Sequence, residues 1–475
     1  MKNFLITTAI PYVNGKPHIG HALEYFQADT VRNFHKLLGE KTLLLSGADE
    51  NALKNVQTAE IENISTQDFL DRNSQVFKDS YEKLGVPLDV FERGSDQGHH
   101  WPGVQKLWTL CEKNGDIYKK EYTGLYCIGC ESFKTEKELT DGKCPDHLKE
   151  PEKITEENYF FKLSKYQDEL LKLIETDELQ IVPENKKNEI VSFIKSGLED
   201  FSISRNKERA KGVGVPVPND DKQVMYVWFD ALAIYITGVG YGVDEENFNT
   251  WWPAAVHVIG KDISRFHTVY WPAILLSAKL DLPKTVLIHG FITSGGQKMS
   301  KTIGNVIDPF DISEKYGLEP FRYFLLSQIP TNDDGDFTEE RFKEVYGADL
   351  ANGLGNLVSR VAKLCERENF SYNPLPDKFA ARSIDLEILT GSFKFNEALS
   401  FIWARVKQAD GFISAQEPWK IENKNELREK LLQYVEQIYW IGYNLQPFLP
   451  KTAEKILSQF SGDIKSAEPL FPRLS

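Results

Sequence analysis

Three groups of residues in this sequence are spaced to do chemistry, and two of them suit a phosphate chain. His18-Ile19-Gly20-His21 stands where a turn containing Pro11, Asn14, Gly15 and Pro17 gives way to a helical pattern. The first turn of a helix has unpaired N–H groups and the positive end of the peptide dipole, which favour phosphate. Imidazoles at i and i+3 share one face, and Gly20, lacking a side chain, lets a flat base reach the backbone. Far along the chain, Ser294-Gly295-Gly296-Gln297 leads into Lys298-Met299-Ser300-Lys301-Thr302. Glycines ahead of a basic cluster predict a mobile loop that closes over phosphates. The third group is Cys127-x-x-Cys130 followed by Cys144-x-x-His147. Two such pairs at tight turns converge on one tetrahedron, and three thiolates with one imidazole suit zinc. No coordination position is left for a substrate, so the predicted site is structural. Cys111 and Cys365 have no partner in sequence and read as buried thiols.

The elements around these residues fix where they sit. Phe4 to Ile10 reads as a strand, the spacing of Leu23, Phe26, Thr30, Phe34 and Leu37 predicts a helix, and Lys41 to Gly47 reads as a second strand. Strand, helix, strand opens a doubly wound, parallel, Rossmann-like α/β sheet, in which ligands bind beyond the carboxyl ends of the strands. Further strand candidates are Val224–Trp228, Ala255–Ile259 and Thr285–Ile288. From Thr338 strand signals stop; Thr338-Glu339-Glu340 reads as a helix start, and Leu431, Tyr434, Val435, Ile438 and Ile441 predict a helical bundle. The expected organisation is residues 1–117 as the first half of a nucleotide-binding domain, 118–223 as an insertion carrying the zinc knuckle, and 224–294 as the second half. Residues 295–345 form the lysine-loop region, and 346–475 an all-α domain. Lys211–Gly214 and Asn332–Asp336 read as turns.

Composition sets limits. The chain has 475 residues and a formal charge of −14, so nucleic-acid contacts must be confined to a local basic face. Five cysteines in this length make no disulfide framework and point to a reducing, cytoplasmic setting. The first apolar run is cut by Pro11 and reads as a buried strand, and no stretch is long enough to span a membrane.

The two signatures, in this order and each after a strand candidate, resemble those of class I aminoacyl-tRNA synthetases. The stretches Ala9 to Ala22, Tyr226-Val227-Trp228-Phe229-Asp230-Ala231 and Gly260-Lys261-Asp262-Ile263 are similar to the methionine-specific branch, and the resemblance covers nearly the whole chain. Two positions depart from the usual pattern: Thr302 replaces a serine, and Leu232 a proline. The resemblance implies two reactions, attack of a methionine carboxylate on the α-phosphorus of ATP and transfer of the adenylate to the terminal ribose of tRNA(Met). It implies that His18, His21, Lys298 and Lys301 offset the developing charge, and that Gly20, Asp262 and Ser300 join them at ATP with Mg2+. It places methionine against Ala9, Ile10, Tyr12, Asp49, Trp228, Ala231, Tyr235, Ile263 and His267, with Asp49 on the ammonium group. Arg205 then supports the active site, and Asn356, Arg360 and Trp419 read the anticodon CAU. By residue type alone, Asn356 is a helix cap and Trp419 a core residue. The end of the chain soon after the bundle suggests a monomer. Synthetases for valine, isoleucine or leucine are rivals, but the insertion is too short for an editing domain plus a knuckle. A cysteine-specific relative, a non-catalytic tRNA-binding paralogue and a small-molecule adenylyltransferase are the others.

Overall fold

The computed structural model describes residues 2–127, 132–134, 136, 139–145, 148–253, 255–299, 305–375 and 384–474. The chain divides into two compact units. The first contains residues 1–17 and 41–288, and the second 18–40 and 289–475.

The first unit is built on a six-stranded sheet. Its strands are β1 (Asn3–Thr8), β2 (Lys41–Ala48), β3 (Val90–Arg93), β4 (Gln180–Val182), β5 (Val256–Gly260) and β6 (Thr285–His289). They lie in the order β3-β2-β1-β5-β6-β4. The β1–β2, β1–β5, β2–β3 and β4–β6 pairings are parallel. Strands β1 and β5 are almost wholly buried, which is why they read as continuous apolar runs rather than alternating ones. Helices α2 (His100–Lys113) and α3 (Val227–Thr237) pack in the same core. Gly103 permits their close approach: a Cβ there would lie 2.5 Å from the Thr237 methyl and 2.3 Å from the Tyr241 carbonyl oxygen.

Two expectations change here. Val224–Trp228 is not one strand of this sheet. Residues Asp220–Met225 belong to a small antiparallel sheet with Pro216–Val217 and Ser204–Asn206, and α3 begins at Val227. Every residue of α3 is buried, and a helix apolar on all sides has no period to separate it from a strand. The segment 118–223 also does more than interrupt the sheet. It forms an antiparallel sheet of its own around Ile117–Cys127 and Glu152–Phe161, and supplies β4, which pairs with β6 at the sheet edge.

The second unit holds α1 (Ile19–Leu37) and the chain beyond β6. Thr338 caps a helix over Glu339–Val345, its side chain accepting from the Arg341 N–H at 3.2 Å. A ten-residue π-helical stretch, Tyr346–Gly355, continues into α4 (Asn356–Arg367). The bundle adds α5 (Phe395–Gln416), α6 (Lys424–Leu445) and α7 (Pro450–Gln459). Leu431, Tyr434, Val435, Ile438 and Ile441 form the buried face of α6, as their spacing predicts. Gly335–Phe337 pairs with Ile292–Ser294 ahead of Thr338, and beyond it strand pairing persists between Ser371–Tyr372 and Gly462–Asp463. Two- and three-residue strands are too short to leave a sequence signal. No described helix is long and apolar enough to cross a membrane.

Candidate functional site

Strand order in the first unit reverses between β1 and its neighbour β5, so the crevice beyond their carboxyl ends is the topological switch point. Ala9–Tyr12 leave β1 there, and Lys261–Ile263 leave β5. The end of β2 joins them: the Asp49 N–H donates to the Pro11 carbonyl at 3.0 Å, and Tyr12 and Asp49 form a parallel bridge. Asp49 is buried. The Asn55 amide holds the loop by donating to the carbonyls of Asp49 (3.0 Å) and Glu50 (3.2 Å). The Glu50 carboxylate accepts from Ser74, Arg93 and Ser95.

Aromatic rings line this end of the unit. The Trp228 indole stacks on Phe266, with centroids 3.9 Å apart and 7° between planes, and Tyr12 meets it edge-on at 6.1 Å. Two turns along α3, the Tyr235 hydroxyl lies 2.8 Å from His267 Nε2. His267 Nδ1 lies 3.0 Å from the Ile263 carbonyl, which can only accept. The proton is therefore on Nδ1, and Nε2 accepts from Tyr235. Burial pushes the His267 pKa down to about 4, so the ring is neutral near pH 7. The Lys54 ammonium lies 3.2 Å from the Tyr12 ring centroid. Phe266 and His267 sit on a π-helical turn, Phe266–Tyr270, a geometry frequent at functional sites. Ile10 and Ala231 are buried, and Asp262 is exposed on a short turn after β5. Arg205 is buried, its guanidinium 4.3 Å from the Tyr226 ring and 5.3 Å from Tyr126, with Nη1 donating to Ser202 Oγ and the Ser204 carbonyl.

The sequence reading missed Phe266, His257, Lys54 and the Asn51–Asp230–His100 cluster. Only Asp230, inside the quoted Trp228–Ala231 stretch, left a signal; the others meet their partners through tertiary packing alone. The His257 ring lies 4.4 Å from the Tyr235 ring, tilted by 36°, and bonds Thr7 Oγ1 through Nδ1 at 2.5 Å.

In the second unit, His18 is the N-cap of α1 and forms a reciprocal capping box made of imidazoles. The Gly20 N–H donates to His18 Nδ1 and the His18 N–H to His21 Nδ1, both at 3.1 Å. The ring centroids are 4.0 Å apart. With Nδ1 accepting, the proton of each neutral ring stands on Nε2. Burial, then His18, then His289 hold the His21 pKa well below the ordinary value. His21 is therefore a neutral N–H donor and not a cation. Gly20 has an added reason to be glycine, because a Cβ would lie 3.0 Å from the His18 ring.

The glycine pair before Lys298 is not a slack loop. Gly295 (φ 59°) and Gly296 (φ 76°) turn a two-residue hairpin in which Thr293 faces Lys298, a backbone that glycine adopts without strain. Asp336 Oδ1 accepts from the Gly296 N–H at 2.8 Å and from Thr293 Oγ1 at 2.6 Å. The Asn332–Asp336 turn thus ends in a strand that holds the hairpin. Lys298 is exposed, while Ser300, Lys301 and Thr302 lie outside the described residues. Just past them, the Ile307 carbonyl accepts from the Ile19 N–H at 3.3 Å, tying this segment to the first turn of α1.

In the bundle, Asn356 and Arg360 lie one turn apart on α4, and Asn356 is exposed. The Arg360 guanidinium is 5.9 Å from the Trp419 ring and bonds Asp410 at 2.5 Å. Trp419 is 45% exposed, which rules out the core reading of this residue. Asn356 has helical backbone (φ −65°, ψ −45°) where the π-helical stretch runs on into α4, whose N-cap position is Gly355.

Of the four residues expected to hold zinc, two are described. Cys127 ends its strand and Cys144 follows a tight hairpin, with Thr140 bridged to Lys143. Both sulfurs are buried. At Cys144 the chain folds back, its N–H donating to the Lys149 carbonyl at 2.9 Å. Two buried sulfurs at turns fit half of a Cys3His set. Cys130 and His147 lie outside the described residues, among which no group of three or more such ligands stands together. Cys111 and Cys365 are buried thiols, as expected.

The chain matches the family model described as tRNA synthetases class I (M), over residues 4–153 and 137–362. It is 41% identical to the methionine--tRNA ligase of Brucella suis biovar 1 over 99% of this chain and 98% of that one. The chain belongs to the class I methionyl-tRNA synthetases. A second family member, from Clostridium acetobutylicum, is 42% identical over 99% of this chain and 75% of its own length. Among solved methionyl-tRNA synthetases, the Mycobacterium tuberculosis protein in complex with methionyl-adenylate superposes with a TM-score of 0.91 at 35% identity, covering 100% of both chains. Its apo form gives 0.86 at 33% identity, over 100% of this chain and 99% of that one.

Proposed function

We propose that this ligase activates methionine with ATP to methionyl-adenylate and transfers it to the 3′ end of tRNA(Met), with the residues above dividing the work. One observation carries the reading: aromatic rings and the neutral His267 cluster at the β1/β5 switch point, with a buried carboxylate, Asp49, bridged to Tyr12 beside them. A thioether gains sulfur–ring contacts of ~0.3–1.5 kcal/mol against such a wall. Ala9, Ile10, Tyr12, Trp228, Ala231, Tyr235, Ile263 and His267 hold the side chain, and Asp49 the ammonium group. His18, Gly20, His21, Asp262, Lys298, Ser300 and Lys301 serve ATP, and Arg205 supports the site. The two imidazoles donate Nε2–H to phosphate oxygens, and the lysines supply the charge that His21 does not. No covalent intermediate is needed, since attack at phosphorus is helped by alignment and fixed donors. Mg2+ enters with ATP as part of the substrate. The test is methionine-dependent exchange of pyrophosphate into ATP. Exchange that responds to valine, isoleucine or cysteine instead of methionine overturns the assignment.

Asn356, Arg360 and Trp419 are proposed to read the anticodon. An exposed indole under a guanidinium offers a stacking platform worth ~1–3 kcal/mol per base. Trp419→Ala is expected to weaken tRNA charging about tenfold while sparing exchange, in keeping with loss of one stacked base. Equal loss in both assays would make Trp419 a packing residue.

Cys127, Cys130, Cys144 and His147 are proposed to hold one structural zinc, which would crosslink the insertion. Elemental analysis is expected to find about one zinc per chain, lowered by Cys127→Ala. Folded, active protein free of metal would refute the site. The expected boundaries 1–117, 118–223, 224–294, 295–345 and 346–475, a cytoplasmic location and a monomeric state belong to the same reading.

A further inference from the structure

A buried carboxylate behind the aromatic wall belongs to no role assigned above. Asp230 is 1% exposed and lies in the first turn of α3, two residues after Trp228 and one before Ala231. One oxygen meets His100 Nε2 at 2.6 Å, and the other accepts from Asn51 Nδ2 at 2.7 Å. His100 is wholly buried, and its Nδ1 meets Thr237 Oγ1 at 2.7 Å. Thr237 is the last residue of α3. One imidazole at the start of α2 therefore grips α3 at both ends. Asn51 follows Asp49 by two residues, and the same amide also donates to the Gly94 carbonyl at 2.8 Å, just past β3.

We propose that Asp230 is a positioning residue for methionine: bonded by Asn51 and His100, its carboxylate sets the separation between the Asp49 loop and the aromatic wall on α3. A methionine held at both ends, ammonium on Asp49 and thioether on Trp228 and Tyr235, is sensitive to that separation. The inference rests on the proposed methionine pocket. Asp230 touches no substrate in this scheme and acts through the two surfaces it joins. Both oxygens are already bonded to protein donors, which suits a brace and not a ligand.

The test uses exchange kinetics on the whole protein. Asp230→Asn keeps the shape but turns one oxygen into a donor, facing donors. Asn51→Ala, at a half-buried position, cuts the link to the loop and leaves the Asp230–His100 pair in place, so it serves if Asp230→Asn fails to fold. Each is expected to raise the methionine KM about tenfold and the ATP KM less than about twofold, the signature of misplacement at one substrate. Combined with Asp49→Asn, Asn51→Ala is expected to add less than about twofold, because residues acting through one contact are not additive. A lowered melting temperature with the methionine KM unchanged, or full additivity with Asp49→Asn, overturns the proposal. If Asp49→Asn and Trp228→Ala themselves leave the methionine KM unmoved, the pocket reading fails, and the inference with it.

Discussion

Replacing His21 with alanine lowers the rate of methionine-dependent pyrophosphate exchange about 10²–10³-fold, the cost of removing one fixed donor to a developing oxyanion. The geometry makes it a fixed donor. His21 Nδ1 is occupied by the His18 N–H, so the ring cannot turn without breaking the cap on α1. The cap itself is worth about 1 kcal/mol of stability, far less than the expected kinetic loss, so melting temperature and rate separate the two roles. The pH dependence follows from the direction of the His21 shift. Its pKa is depressed, chiefly by burial. The neutral ring is the working form, and it is lost only as pH falls through that lowered value. Exchange by the unmodified protein should therefore show no acid limb from His21 near the ordinary histidine pKa. An acid limb near that value that disappears in the alanine variant would contradict the neutral-donor assignment.

Asp49→Asn is expected to raise the methionine KM with a loss of about 2–5 kcal/mol, the usual cost of stripping one partner from a buried charge pair. The substitution is isosteric. The Asp49 backbone N–H and C=O both hold the loop, and the substitution leaves these contacts in place. Exchange measured against methionine concentration, with ATP saturating, gives the answer. A KM within about twofold of the parent would remove Asp49 from the ammonium site.

Much of this was legible in the sequence where chemistry and local structure coincide. His18 and Gly20 mark a helix start because the cap itself is made from them, and Thr338 announces its helix in the same way. The helical spacing of α6 survived because only one of its faces is buried. Legibility failed where burial erased periodicity, as in α3, and where contacts join distant residues. His100 and Asp230 are 130 positions apart, and nothing in either neighbourhood announces the other. The charge state of His21 was not legible for a related reason. Residue type gives a histidine near neutrality, whereas its protonation is decided by what encloses it.

The place of β4 bears on how this enzyme could be shortened. The middle of the chain looks dispensable, an excursion from the main sheet. Yet Gln180–Val182, from within it, covers the outer rim of β6. Excising that excursion as a block would bare a row of unpaired backbone groups along a buried apolar strand, a template for chain-to-chain association. A minimal version of this protein would have to trim around those three residues, or supply another cover for the rim.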